Sequence, residues 1–285
     1  VENIWYQYYP NCKIEWISDS VGKLIARARN EIANPQADVI MGGLFESDGT
    51  TYHDVLQPYT PTIADQLSKL DPYGYYSFFD IQYMALVVNK DLEAELGITI
   101  NGYEDLLNPA LKGKIIMADP AASSSAYRQF HTILALMGDE IADDKSWEYI
   151  DKLIENADGV ITTSSSQVFK TVISGEYVVG LTYENIVEMQ ITKNGADNIR
   201  LVYPVEGNTA CASGAGMVKD CPHPEAAAAF LDFGASEEYQ LARKDENCAR
   251  GTNTNIRYEN YPADEELGVV EIDWEWLGTQ KEALL

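Results

Sequence analysis

The sequence predicts an α/β protein built from two lobes. Short apolar strands alternate with amphipathic helices along most of the chain, and such an order favours a parallel sheet with right-handed crossovers. The 285 residues are long for one hydrophobic core and suit two lobes of about 100–150 residues each. Two strand-like stretches, 82–89 and 200–204, are placed to cross between the lobes. We therefore expect a first lobe of 1–88 plus 205–285 and a second lobe of 89–204, joined by two crossing strands.

Composition and charge limit the classes of partner. With 46% hydrophobic and 23% charged residues, the chain is typical of a globular protein. Its formal net charge of −25 repels nucleic acid and anionic lipid, so we exclude both as partners. The same field repels an anionic solute at long range. A pocket for an anion would therefore have to act through local dipoles and hydrogen bonds.

The cysteines and the first residues give weaker indications. The four cysteines form no CxxC pair and have no histidine at metal-ligand spacing, which argues against zinc; they are Cys12, Cys211, Cys221 and Cys248. One or two disulfides, or four thiols, are all compatible with this spacing. Residues 1–9 have the pattern of the last part of an amphipathic helix, which would fit a processed or truncated N-terminus.

The predicted elements of the first lobe place polar residues at strand ends. The alternation over 12–17 predicts a strand, 21–33 a helix, and 37–41 a short buried strand that ends at Gly42-Gly43. Ligands of parallel sheets collect at the carboxyl ends of the strands. We therefore expect a contribution to a binding site from Ser18, Ser20 and Gly43.

The rest of the chain continues the alternation of strands and helices. The predicted strands are 82–89, 114–118, 177–182, 200–204 and 211–218, and the predicted helices are 103–109, 123 to about 137, 147–156, 164–174 and 224–233. The strand 177–182 ends at Tyr183-Glu184, which we expect to be polar contacts of the site. For Glu184 the alternative is a solvated acid at a strand end.

Two serine-rich turns connect a predicted strand to a predicted helix. One contains Ser123, Ser124 and Ser125, and the other contains Ser164, Ser165 and Ser166. Hydroxyl side chains cap helix N-termini, and the free backbone N–H groups and dipole of a helix N-terminus attract anions. Each turn by itself fits an ordinary N-cap. Because there are two such turns, the sequence predicts a pocket for an anion.

Several segments together resemble the extracellular solute-binding proteins of ABC importers. They are 35–43, 118–121, 164–168, 175–184 and 273–276, and the likeness covers nearly the whole chain. Within that family the chain is most similar to the branch of ferric-ion-binding proteins and their hexose-phosphate- and phosphonate-binding relatives. The resemblance implies a type II periplasmic-binding-protein fold that closes on its ligand about a hinge. It also implies that the family's first strand and its ligand loop lie before residue 1.

The resemblance favours a phosphate ligand over iron. The adjacent tyrosines that hold iron in ferric-binding members fall on Asn185 and Ile186, and a glutamate ligand falls near Gly43. Glycine and isoleucine supply no anionic oxygen for a hard trivalent cation. In contrast, the phosphate-binding positions of the relatives fall on Ser124-Ser125 and on Ser165. Iron bound with a synergistic anion, through Tyr183 and Glu184, remains an alternative.

The predicted function is therefore binding and transport. We expect a monomer that captures a small phosphorylated or phosphonate solute, such as a sugar phosphate, and delivers it to an ABC permease. It would lie in the periplasm or outside the cell, with a lipid anchor as one means of retention. We expect no cofactor. A hydrolase on the same scaffold is the third reading, but the sequence has no G-x-S-x-G motif and no clustered catalytic constellation.

Overall fold

The computed structural model describes residues 1–285, except for the side chain of Glu275, which belongs to the 273–276 motif. Contacts divide the chain into two units. Unit 1 contains Val1–Ile81, Cys211–Tyr258 and Asp273–Leu284, and unit 2 contains Gln82–Ala210, Glu259–Ile272 and Leu285. None of the described helices is both long and apolar enough to cross a membrane.

The first segment of unit 1 contains two helices and two strands, separated by long connections. Its elements are α1 (Glu2–Tyr8), α2 (Val21–Asn30), β1 (Val39–Phe45) and β2 (Leu56–Gln57), with 3₁₀ turns at Glu46–Asp48 and Ala64–Gln66. The helix predicted from the first nine residues is confirmed, because α1 buries Trp5. In α2, Ile25 and Ala28 are buried and the other side chains are half-buried or exposed, as expected of an amphipathic helix.

The central segment alternates strands with helices. Its elements are β3 (Ser77–Asn89), α3 (Lys90–Leu96), β4 (Ile115–Ala118), α4 (Ser124–Leu136), α5 (Asp144–Asn156), β5 (Ile161–Thr162), α6 (Ser165–Ile173), β6 (Val179–Tyr183), α7 (Glu184–Thr192) and β7 (Ile199–Val202), with 3₁₀ turns at Glu104–Leu107 and Pro109–Leu111. These bounds confirm the predicted strands at 82–89, 114–118, 177–182 and 200–204 and the predicted helices at 123–137, 147–156 and 164–174, with ends that differ by a few residues. The helix predicted at 103–109 is instead two 3₁₀ turns. Gly97 ends α3 with φ of 65°, a conformation that glycine adopts readily.

The last segment returns to unit 1. Its elements are β8 (Ala210–Val218), α8 (Pro224–Ala235), α9 (Glu237–Asn247), α10 (Trp274–Thr279) and α11 (Lys281–Leu284). All residues of β8 are buried, which explains its continuous apolar and small-residue sequence. The four cysteine side chains are thiols and form no disulfide among the described residues.

Strand direction differs between the two units. In unit 2, β4 pairs with β5 and with β6 in parallel, whereas β3 pairs with β6 and with β7 in antiparallel register. In unit 1, β1 and β2 both pair with β8 in antiparallel register. The prediction of a parallel sheet was therefore wrong for unit 1. The partner of β1 is a strand from the far end of the chain, so the local strand–helix–strand order could not reveal its direction.

The predicted strand at 12–17 is absent. In this segment Glu15, Trp16 and Ile17 make no backbone hydrogen bond to any described residue, although the segment alternates in sequence. It lies beside a groove of about 650 Å³, and β1 lines the same groove. A strand exists only with a neighbour that satisfies its backbone groups. The alternation is present, but no adjacent strand completes the pairing.

The second predicted strand of this region extends further than its sequence indicated. It continues through Gly42-Gly43 to Phe45, and its register with β8 shifts between Met41 and Leu44. Gly42 and Gly43 have φ of 78° and 73°, a conformation that side chains disfavour. The pair therefore forms a β-bulge within β1 instead of ending it.

Each unit has its own core. In unit 1 the buried cluster combines aliphatic and aromatic residues, and Trp5 packs edge-on against Phe233 with ring centroids 5.4 Å apart. In unit 2 a cluster of aliphatic residues joins α6 to the sheet, with Val168 and Val172 both 0% exposed. Since the two valines are four residues apart, they form one apolar face of α6.

The positions at which the chain passes between units differ from the predicted lobe bounds. The chain passes into unit 2 after Ile81, inside β3, and leaves it at Ala210, where β8 begins. Strand β7, which overlaps the predicted crossing at 200–204, pairs with β3 inside unit 2. Residues 259–272 also belong to unit 2. The lobe bounds themselves remain a prediction.

Candidate functional site

Three helices begin at one edge of the unit 2 sheet. The strands β5, β4 and β6 lie side by side in parallel, with Ala118 opposite Thr162 and Ile116 opposite Gly180. Each strand leads directly into a helix: β5 into α6, β4 into α4, and β6 into α7. Since parallel strands end at the same edge, the N-termini of the three helices converge there. This is the edge at which open α/β sheets bind ligands.

The N-terminus of α4 is built from the first serine turn. Ser123 is the N-cap residue, and its Oγ accepts a hydrogen bond from the Ala126 amide at 3.3 Å. The same Oγ lies 3.1 Å from Oγ of Ser125. Asp119, in the preceding turn, accepts from the Ala121 amide at 2.8 Å. Within the described chain the amides of Ser124 and Ser125 have no acceptor, so they remain available to a ligand.

The N-terminus of α6 is built from the second serine turn, with different hydrogen bonds. Ser164 occupies the N-cap position, but its hydroxyl does not cap the helix. Instead, its Oγ lies 3.0 Å from Oγ of Ser166. The amides of Ser165 and Ser166 meet no acceptor among the described residues. The interpretation of this turn as an ordinary side-chain N-cap is therefore wrong for Ser164.

The two serine turns are neighbours. The Asp119 amide donates to the Thr162 carbonyl at 2.8 Å, so the ladder between β4 and β5 continues to the point where both turns begin. The Ser164 amide also donates to Oγ1 of Thr162, at 3.3 Å. Adjacent strands lie about 4.8 Å apart, so the two helices present their N-termini side by side. Four backbone amides without an acceptor in the described chain, and six serines, thus lie at one edge of the sheet.

The third helix at this edge carries a buried carboxylate. Tyr183 is the N-cap residue of α7 and is half-buried, and Glu184 follows it with only 2% of its surface exposed. The hydroxyl of Tyr203 donates to Oε2 of Glu184 at 2.7 Å. The interpretation of Glu184 as a solvated acid was therefore wrong. Burial, and then the charge of Glu184, raises the pKa of Glu188 one turn further along.

The predicted residues of unit 1 lie together at the start of α2. Ser20 is the N-cap residue but makes no side-chain cap bond, and both Ser18 and Ser20 are exposed. A Cβ atom on Gly43 would lie 3.1 Å from Cβ of Val21, so the β1 bulge packs against the first residue of α2. The structure thus brings Ser20 and Gly43 close to each other.

The start of α2 already has a carboxylate beside it. Oδ1 of Asp19 accepts from the Ser20 amide at 2.8 Å and lies 3.1 Å from Nζ of Lys23. The hydrogen bond from the Ser20 amide, followed by that from Lys23, lowers the pKa of Asp19. The protein's own anion therefore occupies part of the positive end of α2.

Two functional contacts were missed from the sequence. Tyr203 lies at a strand end close to Glu184 in space, but 19 residues away along the chain. Gln129 of α4 donates to the carbonyls of Ala85, at 2.9 Å, and of Thr182, and it accepts from the Tyr103 hydroxyl at 3.0 Å. These bonds fix α4 against β3 and β6. Gln129 is one of several polar residues in α4, so the sequence gives no signal that singles it out or indicates its partners.

The described residues contain no metal site of the usual kind. Among the described residues, no group of three or more His, Cys, Asp or Glu side chains is placed to hold a metal ion. The chemistry at the edge of the unit 2 sheet is that of hydroxyl and amide donors, with one buried carboxylate and two phenols. Such donors bind the oxygens of an anion.

Solved structures of periplasmic binding proteins have the same fold as this chain. The chain has 25% sequence identity to the periplasmic binding protein AfuA from Actinobacillus pleuropneumoniae, which holds fructose-6-phosphate, with a TM-score of 0.82 over 99% of this chain and 90% of AfuA. Iron-bound HitA from Pseudomonas aeruginosa is 20% identical, with a TM-score of 0.81 over 99% of this chain and 92% of HitA, and shows the fold alone. Both are two-lobed binding proteins. The predicted type II periplasmic-binding-protein fold is confirmed.

The family follows from the sequence match. The chain belongs to the bacterial extracellular solute-binding proteins, whose family pattern covers residues 9–247. Among curated relatives, Iron uptake protein A1 of Synechocystis sp. is 25% identical over 80% of this chain and 65% of that protein. Proteins of this family are receptors that bind small solutes and work with ABC permeases. The protein is therefore an extracellular solute-binding receptor and not an enzyme.

Proposed function

We propose that the solute is a small phosphorylated or phosphonate compound, such as a sugar phosphate, and that its anionic group binds the N-termini of α4 and α6. The observation that carries this proposal is the pair of serine turns at the ends of two adjacent parallel strands. Together they offer the amides of Ser124, Ser125, Ser165 and Ser166, none of which has an acceptor in the described chain. The fructose-6-phosphate held by AfuA, at 25% identity, supports the same class of ligand.

The other end of the solute would meet Tyr183, Glu184 and the region of Tyr203. Carboxylate oxygens accept hydrogen bonds from hydroxyl and amine donors, as Oε2 of Glu184 does from the Tyr203 hydroxyl. Sugar hydroxyls and amines are such donors. Residues Ser18, Ser20 and Gly43 of unit 1 are proposed as further contacts of the solute. The receptor would act as a monomer, and a lipid anchor is one way in which it could stay close to its permease.

The second candidate is ferric iron with a synergistic anion. It is favoured by Tyr183, Tyr203 and Glu184, whose phenol and carboxylate oxygens are ligands that iron(III) prefers. Iron uptake protein A1 and iron-bound HitA are both among the similar proteins. The absence of adjacent tyrosines at Asn185 and Ile186 argues against it. A strong visible absorbance on adding iron(III), from tyrosinate charge transfer, would support the iron candidate.

Substitution of Ser165 by alanine tests the anion site directly. Loss of one hydroxyl that contacts a buried anion should weaken binding of the solute by roughly 1–3 kcal/mol. Isothermal titration with a hexose phosphate measures this change. Ser174→Ala is the matched control, because Ser174 ends the same helix and is exposed. Equal affinities for both variants would remove Ser165 from the site.

A further inference from the structure

A segment near the C-terminus returns the chain to unit 2. Residues 211–258 belong to unit 1, residues 259–272 to unit 2, and residues 273–284 to unit 1 again. The segment 259–272 contains no helix or strand. The chain therefore also passes between the two units after Tyr258 and after Ile272.

Backbone hydrogen bonds attach this segment to Asn208. The Asn208 amide donates to the Gly268 carbonyl at 3.3 Å, and the Val270 amide donates to the Asn208 carbonyl at 3.0 Å. Asn208 and Val269 form a parallel bridge. At the other end of the segment, the hydroxyl of the buried Tyr83 donates to Oδ1 of Asp264 at 2.7 Å. The segment is thus attached at two separate points, both inside unit 2.

Close packing supports these bonds. Gly207 has φ of 130°, and a Cβ atom on it would lie 2.8 Å from the Gly268 carbonyl oxygen. Only glycine permits this approach of the two backbones. Leu267 is 6% exposed, so the segment also buries an apolar side chain. The fit is that of a docked segment and not of a loose loop.

Asn208 links the segment to β3. Its side chain is fully buried, and its Oδ1 accepts from the Met84 amide at 2.9 Å while its Nδ2 donates to the Met84 carbonyl at 2.7 Å. Oγ1 of the next residue, Thr209, lies 2.6 Å from Oγ1 of Thr132 in α4. Met84 and Asn208 are each two residues from a position at which the chain passes between units.

We infer that residues 259–272 form a strap that fixes Asn208 and, through it, the two connections at 82–84 and 208–211. Because Asn208 pairs with the strap through its backbone and with Met84 through its side chain, one residue holds both connections. All of these bonds lie inside unit 2, so they hold the strap, Asn208 and Met84 together within that unit. Thr209 extends the linkage to α4, which carries the first serine turn. This inference rests on bonds within unit 2 and does not depend on the proposed solute.

Hydrogen exchange of the solute-free protein tests the strap. Asp264→Ala removes the acceptor of the Tyr83 hydroxyl, and Tyr83→Phe removes the donor. Glu266→Ala is the matched control, because Glu266 is an exposed acid in the same segment. We expect both strap variants to exchange the amides of Val270 and Met84 about tenfold faster than the control does, since loss of a hydrogen bond shifts a local opening equilibrium by about that factor.

The outcomes separate the two parts of the inference. Faster exchange at both amides in both strap variants, with an unchanged melting temperature in Glu266→Ala, supports the strap and its link to β3. Faster exchange at Val270 alone contradicts the link through Asn208. Exchange equal to that of the control at both amides shows that the Tyr83–Asp264 bond does not hold the segment, and overturns the inference. These exchange measurements use the solute-free protein, so they do not depend on whether Ser165→Ala changes solute binding.

Discussion

Helix α2 of unit 1 differs from α4 and α6 of unit 2 in the side chains that lie beside its first turn. At α2 the Asp19 carboxylate accepts from the Ser20 amide and pairs with Lys23. At α4 and α6 the first turns carry serines, and the amides of Ser125 and Ser165 have no acceptor in the described chain. All three N-termini have the same dipole. The proposed anion site therefore lies where no carboxylate of the protein accepts from the serine amides of the first turn, although the net charge is −25.

The largest effect should come from giving α6 a carboxylate of its own. Ser165→Asp places a negative charge at a helix N-terminus, which favours folding of the helix but repels a bound anion. We expect affinity for a hexose phosphate to fall about 100-fold or more, because like charges in contact cost several kcal/mol. Titration calorimetry measures the loss, and thermal melting shows that the fold is retained.

The same change in unit 1 is the control for this comparison. Ser20→Asp adds a carboxylate where Asp19 already provides one, at an exposed position. Its effect on affinity should be much smaller than that of Ser165→Asp. An equal or larger loss in Ser20→Asp would mean that α2, and not the unit 2 edge, holds the anionic group.

A change of intermediate size tests the unit 1 region itself. Gly43→Ala puts a side chain at a φ of 73° and within 3.1 Å of Val21. The backbone conformation costs roughly 1–2 kcal/mol, and the close contact adds to it, so we expect about 2 kcal/mol of lost stability. Chemical denaturation measures the free energy of unfolding.

Gly22→Ala is the paired variant for this stability measurement. Gly22 lies inside α2, and nothing lies within 4 Å of its Cβ position. Alanine should stabilise this helix by about 0.5–1 kcal/mol. If both alanines have the same effect on stability, the bulge does not require glycine and its packing on α2 is less tight than described.

The smallest effect on stability is expected at α5, a helix of unit 2 whose N-cap residue is an aspartate. Asp143 caps α5, and its carboxylate accepts from the Ser146 amide at 2.9 Å. This bond, together with hydrogen bonds from the backbone amides of Asp139 and Glu140, lowers the pKa of Asp143 to about 2. A lowered pKa means that the charged carboxylate stabilises the folded state above the ordinary pKa of 3.8, and that this stabilisation is lost as the pH falls toward 2.

Asp143→Asn isolates that charge, since asparagine keeps a capping oxygen. The melting temperature of the variant should lie slightly below that of the wild type at pH 6, and the two should converge as the pH falls from about 4 toward 2. A difference that does not depend on pH would show that the hydrogen bond, and not the charge, accounts for the cap.

The sequence predicts unit 2 better than unit 1 for a physical reason. In unit 2 the strands are buried and the helices between them are amphipathic, so local patterns define both. In unit 1, β1 pairs with β8, which lies about 170 residues further along the chain, and local patterns do not report such pairing. The strand predicted at 12–17 failed for the same reason, because strand formation depends on a partner and not on alternation alone.

The helix N-termini of the candidate site were predicted from the sequence, but their arrangement was not. Serine-rich turns after apolar runs identified α4 and α6, because capping and helix entry are local properties. The adjacency of the two turns depends on the pairing of β4 with β5, which spans more than 40 residues. The burial of Glu184 and its bond from Tyr203 are tertiary, as is the return of residues 259–272 to unit 2, and no local pattern indicates them.

The most direct test of the account is a thermal-shift comparison of one phosphorylated sugar, the same sugar without phosphate, and iron(III). A ligand at 100 times its dissociation constant adds about 2.7 kcal/mol of stability, which is readily measured as a rise in melting temperature. The account predicts a rise with the phosphorylated sugar and none with the free sugar or with iron. A rise with iron alone, or an equal rise with both sugars, would contradict the claim that the serine turns of α4 and α6 bind the anionic group of the solute.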